Sequence, residues 1–305
     1  MRSQFPTYGR SELGVWTSAV GAANHELPLV ADIERGLDSQ EFKAFIQPKI
    51  HLPDRQVVGG ELLARWNHPT KGFLPAGEFI PVMVRHGLID SLLWSLFEQA
   101  LTLQENLKCT DVLVPISLNM HPEQLANNNL VARLVNEIEK NNVSHNSITF
   151  EILESATLPV SSDACKNALH LRRAGCGLSL DDFGSGYSAL ERLIVLPFTE
   201  VKLDRTFVQR IQDDFQVEAV ISCALTLTEK LGMSLVVEGV ETALQYQRLT
   251  QLGVQYAQGY FFARPMPSEI FIEYCGKFGR ATSRGGTRLL SECERSVSWS
   301  PTYKV

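Results

Sequence analysis

Six apolar segments of this chain each carry, at or near their end, a polar group that could do chemistry. Asn119 closes Val-Pro-Ile-Ser-Leu-Asn, Glu151 follows Thr-Phe, and Asp181 with Asp182 closes Leu-Ser-Leu-Asp-Asp. Lys202 lies in Val-Lys-Leu-Asp, Glu238 closes Leu-Val-Val-Glu, and Gln258 sits in Tyr-Ala-Gln-Gly. If these groups meet in one cleft, the carboxylates outnumber the single ammonium. Buried Asp and Glu are paired or metal-bound, and like charges within a few ångströms otherwise take up protons. Hard divalent cations bound through oxygen would restore the balance, and Mg²⁺ or Mn²⁺ suit carboxylate, amide and water ligands. Zinc fits less well, because no histidine lies near these segment ends with ligand spacing and no HExxH occurs. More carboxylates than one ion requires imply two ions acting on a phosphate ester. Such ions, about 3.5–4 Å apart, activate a water and stabilise the leaving oxygen of an in-line displacement. Lys202 would steady the attacking water or the phosphate charge.

Taken singly, each residue has a second reading. A strand-end Asp or Glu can be a helix N-cap, Asp182 before Phe-Gly can be a turn former, and Lys202 can be an edge residue facing solvent. Recurrence at one register of six successive segments favours the joint reading.

The elements that must position these groups are legible in outline. Strand candidates fall at 44–50, 57–66, 112–119, 147–153, 177–181, 200–203, 234–237 and 256–262. Helical periodicity occupies 89–107, 130–141, 161–174, 189–196, 205–211, 216–231 and 242–252. Alternation of strand-length and helix-length segments marks a mostly parallel sheet. Three helical segments stop at Gly175, Gly232 and Gly253, where glycine takes a left-handed conformation cheaply and turns the chain into the next strand. Only six residues separate the first two strands, too few for a helical crossover, so they pair as an antiparallel hairpin. The expected architecture is an α/β fold, a (β/α)8 TIM-barrel-like domain with an antiparallel early strand. In such a barrel the C-terminal strand ends form the active-site mouth.

Composition agrees. The 305 residues are 44% apolar and 20% charged, an ordinary globular balance, and 28 Lys plus Arg against 34 Asp plus Glu give a net charge of −6. That charge speaks against a surface for long nucleic acid, which is gripped by clustered Lys and Arg, while a small phosphate ligand remains compatible. No segment approaches the roughly 20 apolar residues of a membrane span, and the N-terminus lacks the layout of a secretory signal, so a cytoplasmic location is expected. The 6 cysteines never form a CxxC pair. Residues 1–27 are expected to be a tail or linker stub, 28–278 the barrel, and 279–305 a flexible tail.

At this point the residues resemble a known family, the EAL-domain phosphodiesterases that hydrolyse cyclic di-GMP. The resemblance covers about residues 28–275. The naming block appears as Glu61-Leu62-Leu63-Ala64-Arg65-Trp66, with leucine in place of the middle alanine. Gln47-Pro48, Ser117-Leu118-Asn119 and Phe150-Glu151-Ile152-Leu153-Glu154-Ser155 match further blocks, the last with Leu153 in place of threonine. Asp181-Asp182-Phe183-Gly184-Ser185-Gly186-Tyr187-Ser188 resembles the catalytic loop almost unbroken. Val201-Lys202-Leu203-Asp204, Glu238-Gly239-Val240-Glu241-Thr242 and Gln258-Gly259-Tyr260 complete the set.

The resemblance implies roles. Glu61, Asn119, Glu151 and Asp181 would bind one metal, and Asp181, Asp182 and Glu238 would shape the second. Lys202 would position the nucleophilic water, Gln258 would support that cluster, and Glu154 would hold the loop from Asp182 to Tyr187 in shape. Gln47, Leu63, Arg65 and Glu241 would contact the dinucleotide, Arg65 offering a guanidinium fork to phosphate. The implied product is linear pGpG. The alternative is an inactive relative that binds cyclic di-GMP or docks a protein; such relatives typically lose the naming Glu, loop acids or the Lys, and all are present here. Family domains usually follow a regulatory domain, so the chain is either a stand-alone enzyme or part of a longer one. The helix after the catalytic loop, with Leu190, Leu193, Ile194 and Leu196, could form a homodimer contact or simply face the core.

Overall fold

The expected strands and helices appear, joined by short elements that sequence periodicity does not reveal. The computed structural model describes residues 23–108, 114–154, 162–185, 189–211 and 214–279. In chain order the first elements are α1 (Ala23–Asp38), β1 (Phe42–His51), β2 (Gln56–His68), β3 (Gly72–Pro75), α2 (Ile80–Arg85), α3 (Ile89–Lys108) and β4 (Ile116–Asn119). Then come α4 (Pro122–Leu125), α5 (Asn128–Lys140), β5 (Ile148–Leu153), α6 (Ser162–Ala174), β6 (Gly177–Phe183), α7 (Ala189–Val195) and β7 (Glu200–Leu203). The last are α8 (Arg205–Arg210), α9 (Phe215–Leu231), β8 (Ser234–Val237), α10 (Ala243–Gln251), β9 (Tyr256–Ala257), β10 (Met266–Pro267) and α11 (Ser268–Phe278).

Strands β2, β4, β5, β6, β7, β8 and β9 pair in that order, all parallel. β1 closes the ring by pairing antiparallel with both β2 and β9. The result is a closed eight-stranded barrel with the expected antiparallel first strand, while β3 and β10 add to its rim on β2 and β1.

Residue alternation explains why this ring is stable. Leu118, Phe150, Ile152, Leu178, Leu180, Val201, Leu203, Leu235 and Val237 are buried among the apolar faces of the surrounding helices. Their neighbours in sequence, Ser117, Glu151, Ser179, Asp181 and Lys202, are equally buried yet polar. Successive side chains of a strand point to opposite faces, so the apolar set faces the helices and the polar set fills the lumen. Most barrels fill that lumen with branched apolar side chains, and the departure here points to function.

The glycine stops behave as expected, with φ of 105° at Gly175, 69° at Gly232 and 85° at Gly253. The last strand is shorter than the expected 256–262. After Gln258 the chain crosses Val240 so closely that a Cβ on Gly259 would lie 2.1 Å from the Val240 oxygen, and the backbone turns away instead of extending. Helix α1 begins at Ala23, inside the segment expected as a tail, and Ile33 on its face is fully buried. Residues 1–22 and 280–305 lie outside the described residues.

The apolar stripe on α7 divides. Leu193 and Leu196 are buried in the core, whereas Leu190 and Ile194 are 59% and 81% exposed. Among the described residues, no helix is long and apolar enough to cross a membrane. Cys165, Cys176, Cys223 and Cys275 are free thiols, and burial pushes Cys176 and Cys275 up to about 12; Cys109 and Cys293 lie outside the described residues.

Candidate active site at the barrel mouth

Parallel strands deliver their last residues to one rim, so Asn119, Glu151, Asp181 and Lys202 arrive together, and Glu61 joins them from the middle of β2. The centre of the cluster is the Lys202 ammonium. Its Nζ lies 2.8 Å from Glu151 Oε2, 3.1 Å from Glu61 Oε2, 3.0 Å from Asp181 Oδ1 and 2.6 Å from Glu238 Oε1. Lys202 is fully buried, which removes the solvent-edge reading.

All four acids share that one ammonium: Glu61 and Glu151 accept hydrogen bonds from it, and Asp181 and Glu238 form ion pairs with it. Asp181 Oδ1 and Glu238 Oε1 depend on the shared ammonium, and Asp181 Oδ2 is buried without a hydrogen-bond donor. Gln258 Nε2 donates to Glu61 Oε2 (2.7 Å) and to Gln47 Oε1 (3.0 Å), and Asn119 Nδ2 donates to Glu61 Oε1 at 3.3 Å.

Charge balance follows the geometry. Burial works against ionisation of Glu151, but the Lys202 and Lys49 ammoniums prevail and hold its carboxyl at about 2. Asp181 is different. Burial pushes it up to about 6, since Lys202 is shared and Glu151 and Glu61 are nearby. Burial, then Asp181 and Asp204, push Asp182 to about 8, and burial likewise raises Glu238 well above the usual carboxylate range. Lys202 is raised, because Asp181, Glu151, Glu238 and Glu61 together overcome its burial.

These features match a cation site. Asp181, Asp182 and Glu238 each offer an oxygen within 4.8 Å of the others. Carboxylates that crowd together in a buried site and resist ionisation are what a hard divalent ion would relieve.

The end of β6 and the turn that follows are shaped by strain and by Glu154. Asp182 has φ 57°, rare for a residue with a side chain, and Gly184 has φ 95°. Glu154 Oε2 accepts the Gly184 N–H at 2.7 Å, and Arg192 on α7 donates to the carbonyls of Leu153 and Glu154. Gly186, Tyr187 and Ser188 lie outside the described residues, as does Ser155.

The expected dinucleotide contacts are placed differently from one another. Gln47 is buried, donating to the Ala263 carbonyl at 3.1 Å besides accepting from Gln258. Leu63 is buried, Arg65 is half-buried with Nη1 on its neighbour's carbonyl, and Glu241 is exposed beyond β8.

A deeper set of residues was not anticipated. Lys49 Nζ donates to Ser117 Oγ (2.8 Å), Glu151 Oε1 (2.9 Å) and Glu200 Oε1 (2.7 Å), and Ser179 Oγ donates to Glu200 Oε1 at 2.9 Å. Strand β1 neighbours neither β5 nor β7, so these contacts cross the lumen. A signal existed in the two-residue period: Ser117, Ser179 and Glu200 each precede a recognised residue by two, and Lys49 follows Gln47 by two on the strand that runs the other way.

Known proteins resemble this chain over most of its length. The sequence profile of the EAL domain family matches residues 30–265. The cyclic di-GMP phosphodiesterase RocR of Pseudomonas aeruginosa is 45% identical over 250 residues, covering 82% of this chain and 64% of its own length. The chain spans from 30% to 64% of the length of RocR and of two further curated relatives, the oxygen sensor DosP of Escherichia coli and the bifunctional enzyme MucR of Pseudomonas aeruginosa. The PaMucR phosphodiesterase in complex with c-di-GMP superposes with TM-score 0.74 at 32% identity, covering 80% of this chain and 100% of that one. An EAL domain protein from Listeria monocytogenes does so with TM-score 0.73 at 27% identity, over 80% and 96%.

Proposed function

The chain belongs to the EAL domain family, and from that premise we propose that it is a metal-dependent phosphodiesterase that opens cyclic di-GMP to linear pGpG in the cytoplasm. The observation that carries the proposal is the convergence of Glu61, Glu151, Asp181 and Glu238 on one ammonium, all within 3.1 Å. Glu61, Asn119, Glu151 and Asp181 would hold one Mg²⁺ or Mn²⁺, and Asp181, Asp182 and Glu238 a second. Such ions, when bound, supply Lewis-acid stabilisation of charge on the phosphoryl oxygens.

The remaining work falls to the protein's own groups. Lys202 orients the attacking water through its N–H donors, and its charge opposes the negative charge that builds on phosphate. The water oxygen joins phosphorus while the ring oxygen departs and takes up a proton, so the cycle opens. Arg65 offers a planar fork to the phosphate, and Gln47, Leu63 and Glu241 border the dinucleotide. Gln258 keeps Glu61 oriented, and Glu154 keeps the Asp182 loop in its folded shape.

Incubation of the purified protein with cyclic di-GMP and Mg²⁺ should yield pGpG. Intact substrate after long incubation sinks the proposal, and tight binding that Glu61→Ala leaves unchanged would assign a binding module instead. The exposed Leu190 and Ile194 on α7 support a homodimer contact, and the relatives' greater lengths support control by an attached domain. Light scattering should show dimers that Ile194→Asp dissociates; a monomer at every concentration removes the dimer.

A further inference from the structure

Below the mouth, the barrel contains a second buried ammonium that the reaction chemistry does not use. Lys49 has three N–H donors, and its three partners, Ser117, Glu151 and Glu200, take all of them. Its stem runs over Gly59, its partner in the β1–β2 register, where a Cβ would approach Lys49 Cδ to 3.4 Å. Nothing about closing a barrel requires this, since buried ion pairs can generally be replaced by apolar side chains of similar volume.

What distinguishes Lys49 is the group it shares with the mouth. Glu151 is fully committed: Oε1 accepts from Lys49 at 2.9 Å and Oε2 accepts from Lys202 at 2.8 Å. One oxygen therefore points down and the other up. We infer that Lys49 is a positioning residue, which pins Glu151 Oε1 from beneath so that Oε2 is presented to the mouth for a divalent cation. The inference rests on the proposed function for its purpose, while its geometry stands alone.

Lys49 acts at a distance from any substrate. Glu200 anchors it from β7 and is itself fixed by the Ser179 hydroxyl at 2.9 Å, so the lysine cannot follow Glu151 upward. Without that anchor Glu151 would turn both oxygens toward Lys202, and the two would neutralise each other at the expense of the cation.

The test is Mn²⁺ binding to chelator-stripped protein, read by calorimetry for wild type, Lys49→Met and the Lys49→Met/Glu200→Gln pair. The pair removes both lower charges and guards against a variant that does not fold. Groups that orient a ligand are worth roughly 10–100-fold in metal affinity, so Kd for Mn²⁺ should rise by about tenfold or more, with KM for cyclic di-GMP at saturating Mn²⁺ nearly unchanged. A folded variant whose Kd rises less overturns the inference, as does failure of both variants to fold, which would make Lys49 a residue of the fold alone. Cyclic di-GMP turnover by wild type is scored separately: its absence removes the proposed activity but leaves the Mn²⁺ comparison intact.

Discussion

Two polar layers lie one above the other in the same lumen and are satisfied to different degrees. In the lower layer Lys49 uses every donor, and Ser117, Ser179 and Glu200 all have partners. In the upper layer Asp181 Oδ2 is buried without a hydrogen-bond donor, and Asp181 Oδ1 and Glu238 Oε1 share one ammonium with two further acids. A folded protein seldom leaves buried polar atoms unpaired, because each costs about 1–3 kcal/mol or more when charged. The lower layer is therefore finished by folding, whereas the upper one awaits something else. Glu151 belongs to both, and the contrast separates residues that hold from residues that bind.

The contrast breaks most sharply at Asp181. Asp181→Asn should reduce turnover more than about 100-fold, because even groups that only support a metal ligand are worth 10–100-fold. Steady-state kinetics at saturating metal decide this, and a loss below tenfold would place Asp181 outside the binding layer. Glu154→Ala should come next, at roughly tenfold in turnover, as the Gly184 N–H loses its acceptor; an unchanged rate would show that the loop keeps its shape unaided.

The third prediction concerns pH. Asp181 and Asp182 titrate in the fold near about 6 and about 8 instead of 3.8, so between pH 4 and 8 the folded chain binds more protons than the unfolded one. Stability must then fall as pH rises through that window. Glu151, held at about 2, contributes in the opposite sense but only below pH 4.5, so it does not offset the trend. Melting of chelator-treated protein should occur several degrees lower at pH 8 than at pH 6, and added Mg²⁺ should restore more at pH 8. Equal midpoints would refute the upper layer's reluctance to ionise. The smallest effect belongs to Ser179→Ala in the lower layer, about 1 kcal/mol of stability for one lost hydrogen bond, with Mn²⁺ affinity weakened less than by Lys49→Met. Denaturant titration beside calorimetry checks both parts.

Much of the upper layer was legible in sequence because it interrupts apolar strands. Asp181 after Leu-Ser-Leu and Glu238 after Leu-Val-Val stand out by contrast with their neighbours. The lower layer was not, for a physical reason: a serine or glutamate at the start of a strand is also what a solvent-exposed edge looks like. Glu200 and Ser179 become informative only with Lys49, and Lys49 lies on a strand distant in sequence. Short elements such as β3 and β10 were missed because four or two residues carry no period of their own.

By itself the sequence determined which chemical groups exist, their two-residue and helical spacing, and the order in which strands present them. Those follow from covalent geometry, since alternation along a strand needs no knowledge of what lies opposite. Tertiary structure alone decided that Lys202 serves four acids at once, that Glu151 is held from above and below, and that Asp181 keeps one bare oxygen. Each depends on distances across a closed lumen between residues 21 to 141 positions apart, and only ring closure brings such groups within reach of one another.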